Sequence, residues 1–396
     1  MTWPTNPSSR TKFTTGQRKL GEILQGLNLK KAPIDSWPYV EIGDIDIENK
    51  SIIFKDKKSI RGAIIAPADS VLVSRVRPTR GAIVYIDKDY VVSSAFSILK
   101  PKLSESFSKF LFYWLGFSKN FFQYLQKKQK GSNYPSVRDK DILNFKIHIP
   151  SLKIQQKIVE RLDAIKKAQE LNDKQIELTE ELFQSLLHRE LDPKGKNWDF
   201  VKLGNVVQKI EYGLSVSVQN RLDENGVPIL TMAEIENDGQ INYQKTRKIS
   251  ASANELKKFK INKGELLFNW RNEKALIGKT GLFESEKDFI FASFLLRIVT
   301  NEKILPEFLW YWLNYLRTKN AYLQYAHLAG NQASYNANSL QNKISCPLIL
   351  IKNQQKIVEK LSAVQDYKKK LLEQKQKLNE LFESVLNKSM KRELIK

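Results

Sequence analysis

The chain of 396 residues has a single cysteine, Cys346, and three histidines, His148, His188 and His327. A lone cysteine cannot close a disulfide within the chain, and these scattered residues offer no ligand set for a structural zinc ion. No run approaches the roughly 18 apolar residues that a membrane-spanning helix needs. The opening MTWPTNPSSRTKF lacks the apolar core of a secretory signal. A cytoplasmic protein is the expectation. Acidic residues are also in short supply: 43 Asp and Glu against 65 Lys and Arg leave a formal charge of +22 and a pI near 9.7. A surplus spread through the whole sequence, rather than gathered in a tail, points to a polyanionic partner, nucleic acid before anionic lipid. With 41% hydrophobic and 10% aromatic residues, disorder is excluded.

What the chain does have, it has twice. QQKIVERL at 155–162 returns as QQKIVEKL at 354–361, seven of eight residues identical and 199 positions later. The same offset carries ELFQSLL at 181–187 onto ELFESVL at 380–386. Upstream, FLFYWL at 110–115 matches FLWYWL at 308–313, and Ser94-Ala95-Phe96 falls on Ala292-Ser293-Phe294, both at 198. Lys19-Leu20-Gly21-Glu22 opens one half and Lys202-Leu203-Gly204-Asn205 the other, only 183 apart. This period is far longer than the roughly 20–50 residues of a solenoid repeat. The chain is a tandem duplication whose units have a variable front and a preserved tail, as expected of a protein with two different readers on one scaffold.

The front of each half alternates short β-rich runs (63–66, 71–76, 82–86 and 91–99; then 265–270, 278–283 and 289–299) with Pro, Gly and Asp. One amphipathic helix is expected over 106–128, with Phe110, Tyr113, Trp114 and Phe117 on one face, and its counterpart over 306–325. Two long helices without internal Pro or Gly follow, over 152–190 and from 353 to near the end, the first stopped by Asp192-Pro193-Lys194-Gly195. In the second, Ile357, Leu361, Val364, Lys368, Leu371, Lys375, Leu378, Phe382 and Val385 step alternately by four and three. Ile158, Leu162, Ile165, Gln169, Asn172, Ile176, Thr179, Phe183 and Leu186 are their equivalents. This is a coiled-coil seam, for which the other long helix is the nearest partner, the alternative being that each helix packs on its own domain. The expected fold is α+β: two pseudo-twofold-related globular domains, each followed by a long helix, the helices pairing as an antiparallel coiled coil. The divisions are a polar extension at 1–18, a domain at 19–150, a helix at 151–192, a domain at 193–350 and a helix at 351–396.

Catalytic chemistry finds little support. No Asn/Asp-Pro-Pro-aromatic loop or Gly-rich cofactor loop of an amino-methyltransferase occurs. Gly278-Lys279-Thr280 resembles the end of a P-loop, but Glu273 stands where the first glycine should be, and a carboxylate there repels phosphate. The segment reads as a turn. Glu-x-Lys triplets such as Glu255/Lys257 arise by chance in so charged a chain, and no histidine has an evident nucleophile beside it. No catalytic residue, metal or cofactor is expected.

The segments PSLKIQQKIVERLD and PLILIKNQQKIVEKLS, with ELFQSLLHREL and ELFESVLNKSMKREL at the helix ends, resemble the conserved regions of specificity subunits of type I restriction–modification systems. The opening Lys-Leu-Gly of each half and Gly131-Ser132-Asn133 belong to the same resemblance, which spans nearly all of 19–394. It implies two target-recognition domains reading the halves of a split DNA site. It also implies helical regions that set the spacing and dock two methyltransferase subunits, joined by motor–nuclease subunits. The subunit itself would be non-catalytic.

Candidate readers of double-stranded DNA are donor-rich segments beside turns. In the first half they are Arg75, Arg77, Arg80, Lys128, Lys130, Ser132, Asn133 and Tyr134. In the second they are Arg271, Asn272, Lys274, Asn331, Gln332, Tyr335 and Asn336. Arg suits guanine and Asn or Gln suits adenine in the major groove, whereas Lys grips phosphate. On the helices, Gln156, Lys157 and Glu160 recur as Gln355, Lys356 and Glu359 off the seam, where self-packing does not demand them. They are the candidate partner surface. The competing expectation is a coiled-coil adaptor that binds proteins and has no DNA specificity.

Overall fold

The computed structural model describes residues 17–36 and 38–390. All but the last two residues of the expected polar extension lie outside that range; Arg18 already pairs with Ile147 in a two-stranded ribbon. The chain divides into two compact units, one made of residues up to 173 together with those from 374 onward, the other of residues 174–373. Each unit combines small sheets with helices, so the chain is a tandem α+β protein. Each long helix contributes one part to each unit.

In the first unit the strand Ser70–Ser74 lies between Ile83–Ile86 and Phe96–Leu99 in an antiparallel sheet. Successive side chains on a strand point to opposite faces. Val71 and Val73 accordingly enter one core with Phe110, Leu111 and Phe121, while Leu72 enters another with Val84, Ile86 and Val92. The second unit repeats this design. Leu266–Asn269 sits between Thr280–Leu282 and Leu295–Thr300, sending Leu266 and Phe268 to one core and Leu267 to another. Strands buried on both faces read as apolar runs, as Val71-Leu72-Val73 and Leu266-Leu267-Phe268 do.

The helix expected over 106–128 is two helices, Ser108–Phe117 and Lys119–Lys128. Ser118 separates them: its backbone is extended, and its hydroxyl accepts the Phe121 N–H at 3.2 Å as the cap of the second helix. In the second unit the corresponding helix is Pro306–Thr318. The long helices run Leu152–Leu191 and Ile351–Met390. Pro193, which cannot continue a helix, follows the first.

Both long helices begin on a buried glutamine that uses its whole amide. Gln155 accepts from Ser106 Oγ at 2.8 Å and from the Phe107 N–H at 3.1 Å, and donates to the Glu105 and Pro150 carbonyls at 2.9 and 2.8 Å. Gln354 accepts from the Leu305 N–H at 2.8 Å and donates to the Lys303 and Ile349 carbonyls, each at 2.9 Å. In each unit the glutamine thereby joins the start of the long helix to the start of the aromatic helix packed beside it.

The helix pairing is antiparallel in both units. In the first, Gln169 donates to Asn379 at 2.8 Å and Lys375 meets Asp173 at 2.9 Å, while Ile158, Leu162 and Ile165 share a core with Phe382 and Leu386. In the second, Lys368 meets Glu180 at 2.6 Å and Lys360 meets Glu190 at 3.1 Å, while Phe183 and Leu186 share a core with Ile357 and Leu361. The seam is apolar towards its ends and polar in the middle.

Candidate nucleic-acid interface

In the first unit, two of the donor-rich segments meet where the strand Ser70–Ser74 leaves its sheet. The Arg75 N–H donates to the Ala95 carbonyl at 3.0 Å, and the Arg75 carbonyl accepts from the Val137 N–H at 2.9 Å. Arg77 N–H donates to the Pro135 carbonyl at 2.7 Å, and Lys130 and Ser136 exchange two backbone bonds of 2.9 Å. Closing so short a loop needs Gly131 at φ +96, where a Cβ would press on the Tyr134 carbonyl at 3.2 Å. Ser132, Asn133 and Tyr134 are exposed at the tip. Arg77 takes the left-handed region at φ +46, uncommon for an arginine, and its guanidinium lies 4.9 Å from the centroid of the Tyr134 ring. Arg80, in the turn Pro78–Arg80, is exposed, as are Lys128 and Lys130. Arg75 is otherwise engaged: it pairs with Asp139 at 2.9 Å and donates to the Ser94 carbonyl. It braces the projection.

The second unit builds the same projection with different side chains. Trp270 N–H donates to the Phe294 carbonyl, and the Trp270 carbonyl accepts from the Tyr335 N–H at 2.7 Å, matching Arg75 with Ala95 and Val137. Here the loop is a three-stranded sheet, with Arg271–Glu273 paired to Gln332–Ser334 and that strand to His327–Ala329. Arg271, Asn331 and Gln332 are exposed; Asn272 is half-buried, 3.5 Å from the Met232 sulfur. The Lys274 N–H donates to the Asn331 carbonyl at 3.0 Å. Two expected readers serve other purposes. Tyr335 is buried, with its hydroxyl donating to the Tyr322 carbonyl at 2.7 Å and its ring against Phe268 and Tyr322, so it belongs to the core. Asn336 caps the helix Ala337–Lys343, its Oδ1 accepting from the Ser339 N–H at 2.7 Å.

An exposed aromatic cluster escaped the sequence reading. Arg271 lies 5.9 Å from the ring of Phe294, which is 42% exposed. Trp270 bridges Phe294 and the half-exposed Tyr212, at 6.2 and 5.3 Å. The backbone bonds set Phe294 opposite Ala95, not opposite Phe96, which is buried. The 198-residue match therefore slips by one at this point, hiding an exposed aromatic beside Arg271.

Elsewhere the site chemistry is quiet. Lys279 is buried, with its ammonium donating to the Ile235 carbonyl at 2.5 Å, and burial lowers its pKa. Gly278, at φ +80, packs against the Tyr322 ring, where a Cβ would come within 2.4 Å. That segment is a turn in the core. Burial pushes the Cys346 thiol up to about 12. Among the described residues, no group of three or more His, Cys, Asp or Glu could hold a metal ion, and no helix is long and apolar enough to cross a membrane. On the long helices Gln156, Lys157, Glu160, Gln355, Lys356 and Glu359 are all exposed, and Gln156 donates to Glu160 at 2.9 Å.

Two such projections on two copies of one scaffold match a known domain. The family of the type I restriction modification DNA specificity domain matches residues 17–181 and again 195–382. The chain belongs to this family. A protein of Methanocaldococcus jannaschii named as the type I restriction enzyme MjaX specificity subunit is 29% identical over 170 residues, 42% of this chain and 39% of that protein's length. Among solved structures, a chain from work on the assembly and conformational transition of the type I R-M system is similar over 96% of this chain and 98% of its own, with a TM-score of 0.62 and 21% identity. The type I restriction–modification S subunit of M. genitalium is similar over 98% of both chains, with a TM-score of 0.60 and 14% identity. At such identities the likeness to solved structures concerns the fold. The two specificity domains thus share their backbone frame and differ in what they expose.

Proposed function

We propose that the chain is the DNA-reading subunit of a type I restriction–modification complex, each unit reading one half of a split, asymmetric site. The observation that carries this reading is the repeated projection, one backbone frame bearing two different sets of exposed donors. Arg77, Arg80, Ser132, Asn133 and Tyr134 would read the first half-site; Arg271, Asn272, Asn331 and Gln332 would read the second. Arginine pairs with guanine and a carboxamide with adenine, while Lys128, Lys130 and Lys274 hold phosphates. The formal charge of +22 supplies a sequence-independent attraction to DNA. On this reading the chain performs no chemistry itself. Two methyltransferase subunits dock on the matched surfaces at Gln156, Lys157 and Glu160 and at Gln355, Lys356 and Glu359; motor–nuclease subunits complete the complex in the cytoplasm. The long helices set the distance between half-sites.

Mapping adenine methylation in cells that express this chain with its methyltransferase subunit tests the proposal. The expected result is a split motif with a fixed unspecified spacer, and R271A changing the second half alone. Methylation that ignores this chain, or both halves changing together in R271A, would refute it.

A further inference from the structure

The two long helices are copies at an offset of 199. Each therefore has two potential partners: the other helix of its own chain, or its own copy in a second chain. The apolar seam does not tell these apart, because Ile158, Leu162 and Phe183 on the first helix have Ile357, Leu361 and Phe382 as equivalents on the second. The polar pairs do. Gln169–Asn379, Asp173–Lys375 and Glu180–Lys368 lie in one register: steps of four and eleven residues forward on the first helix are matched by the same steps back on the second.

Shifting these residues by 199 gives the contacts that self-pairing would make in the same register. Gln169 is the equivalent of Lys368, and Glu180 of Asn379. Two first helices would therefore set Gln169 against Glu180, and Asp173 against Ile176. Two second helices would set Lys368 against Asn379, and Lys375 against Leu372. Either self-pairing loses these two ion pairs and leaves their charges facing neutral or apolar groups. The third pair, Lys360–Glu190, persists between two first helices as Arg161–Glu190, made twice, but becomes Lys360–Ser389 between two second helices. The mixed pairing is therefore the better matched when both self-pairings must form together. The electrostatics agree. Burial opposes the charge on Glu180, yet Lys368 and Gln184 hold its pKa below the usual carboxylate range; burial likewise opposes Lys368, which Glu180 and Asp238 hold in its charged form.

We propose that Glu180–Lys368 and Asp173–Lys375 form a selection code by which the first long helix takes the second and rejects a second copy of itself. One chain then closes on its own two repeats instead of joining another chain through like helices. This inference is independent of what the two units bind.

The test uses the full chain with a protease site inserted between Lys194 and Gly195, cut after folding. The cut protein is dissociated in denaturant and reassembled, and native mass spectrometry counts the pairs formed. Mixed pairs of first and second repeat should exceed their statistical share over both same-repeat pairs by on the order of tenfold. The double change Q169K/N379E keeps both existing ion pairs and adds a mixed one, but gives each self-pairing two ion pairs of its own. Same-repeat pairs should then rise several-fold. A statistical mixture from the unaltered protein, or no rise with Q169K/N379E, overturns the proposal. In the uncut chain, D173K and K375D should each lower Tm and the D173K/K375D exchange should restore most of the loss; an exchange that restores nothing also overturns it.

Discussion

The guanidinium of Arg77 lies over the ring of Tyr134, 4.9 Å from its centroid, although the two come from different segments. Tyr134 is 70% exposed, while Arg77 is half-buried and also donates to the Asn133 carbonyl at 3.4 Å. The stack orients a long side chain that would otherwise sample many rotamers, and on the proposed reading it holds the arginine fork for a base edge. R77A is expected to weaken binding by about 1–3 kcal/mol and relax sequence choice in the first half-site. Y134A, which removes only the support, is expected to cost about 0.5–1 kcal/mol. Titration against duplexes with either half-site scrambled checks both; neither variant should alter choice in the second half.

Gln155 makes a sharper structural prediction. Its amide nitrogen serves two carbonyls, Glu105 and Pro150, in a fully buried position. Q155E keeps the shape but turns a donor into a carboxylate facing carbonyl oxygens. A loss of about 3 kcal/mol is expected, and a comparable loss for Q354E. Because these oxygens favour the protonated acid, the carboxyl pKa is raised in the folded state. The defect should therefore shrink as pH falls and the introduced acid is neutralised. Urea unfolding at pH 5 and pH 8 checks the sign.

The duplicated tail was legible because helices advertise themselves. The four-and-three spacing from Ile357 to Val385 and the absence of Pro and Gly predict helices, and both are 40 residues long. Ser118 was not legible as a break, since a serine in an apolar helix pattern shows its capping role only through local backbone geometry. Nor was it apparent that the compact units divide within the long helices, after Asp173 and after Glu373. That division follows from long-range packing, such as Phe382 against Tyr113 and Phe117. Tyr335 shows the limit at the candidate site. Beside Asn331 and Gln332 it reads as part of a donor-rich surface, but sheet register turns Ala333 inward, and the chain carries Tyr335 into the core.

Lys50 provides a test by pH. Its ammonium donates to the Gly81 carbonyl at 2.7 Å and lies 5.8 Å from the rings of Phe117 and Phe122. Burial, reinforced by the charge of Lys166, lowers its pKa to about 8. Between about 8 and the ordinary lysine value near 10.4, the unfolded chain binds more protons than the folded one, so stability from this residue rises with pH. Below about 8 the cost of burying the charge is present in full. K50M removes that cost and can still pack against the rings. It should be the more stable protein at pH 7, by about 1 kcal/mol after allowing for partial exposure and the lost bond to Gly81, with the advantage fading towards pH 10. Unfolding midpoints across pH 7–10 would show it; an advantage that grows with pH would contradict the burial argument.

If the long helices set the distance between half-sites, lengthening their pairing must lengthen the spacer. Gln169 faces Asn379, so four residues inserted after Ala168 need four matching residues after Asn379 to preserve the register on either side. Four residues make about one helical turn and add roughly 6 Å. Along DNA that distance corresponds to about two base pairs, at roughly 3.4 Å each. The methylated motif should keep both half-sequences and gain that increment in its spacer. Inserting the four residues in only the first helix displaces Gln169 from Asn379 and brings a change in stability without a defined new spacer. A matched insertion that folds, methylates and leaves the spacer unchanged would show that something other than these helices measures the site.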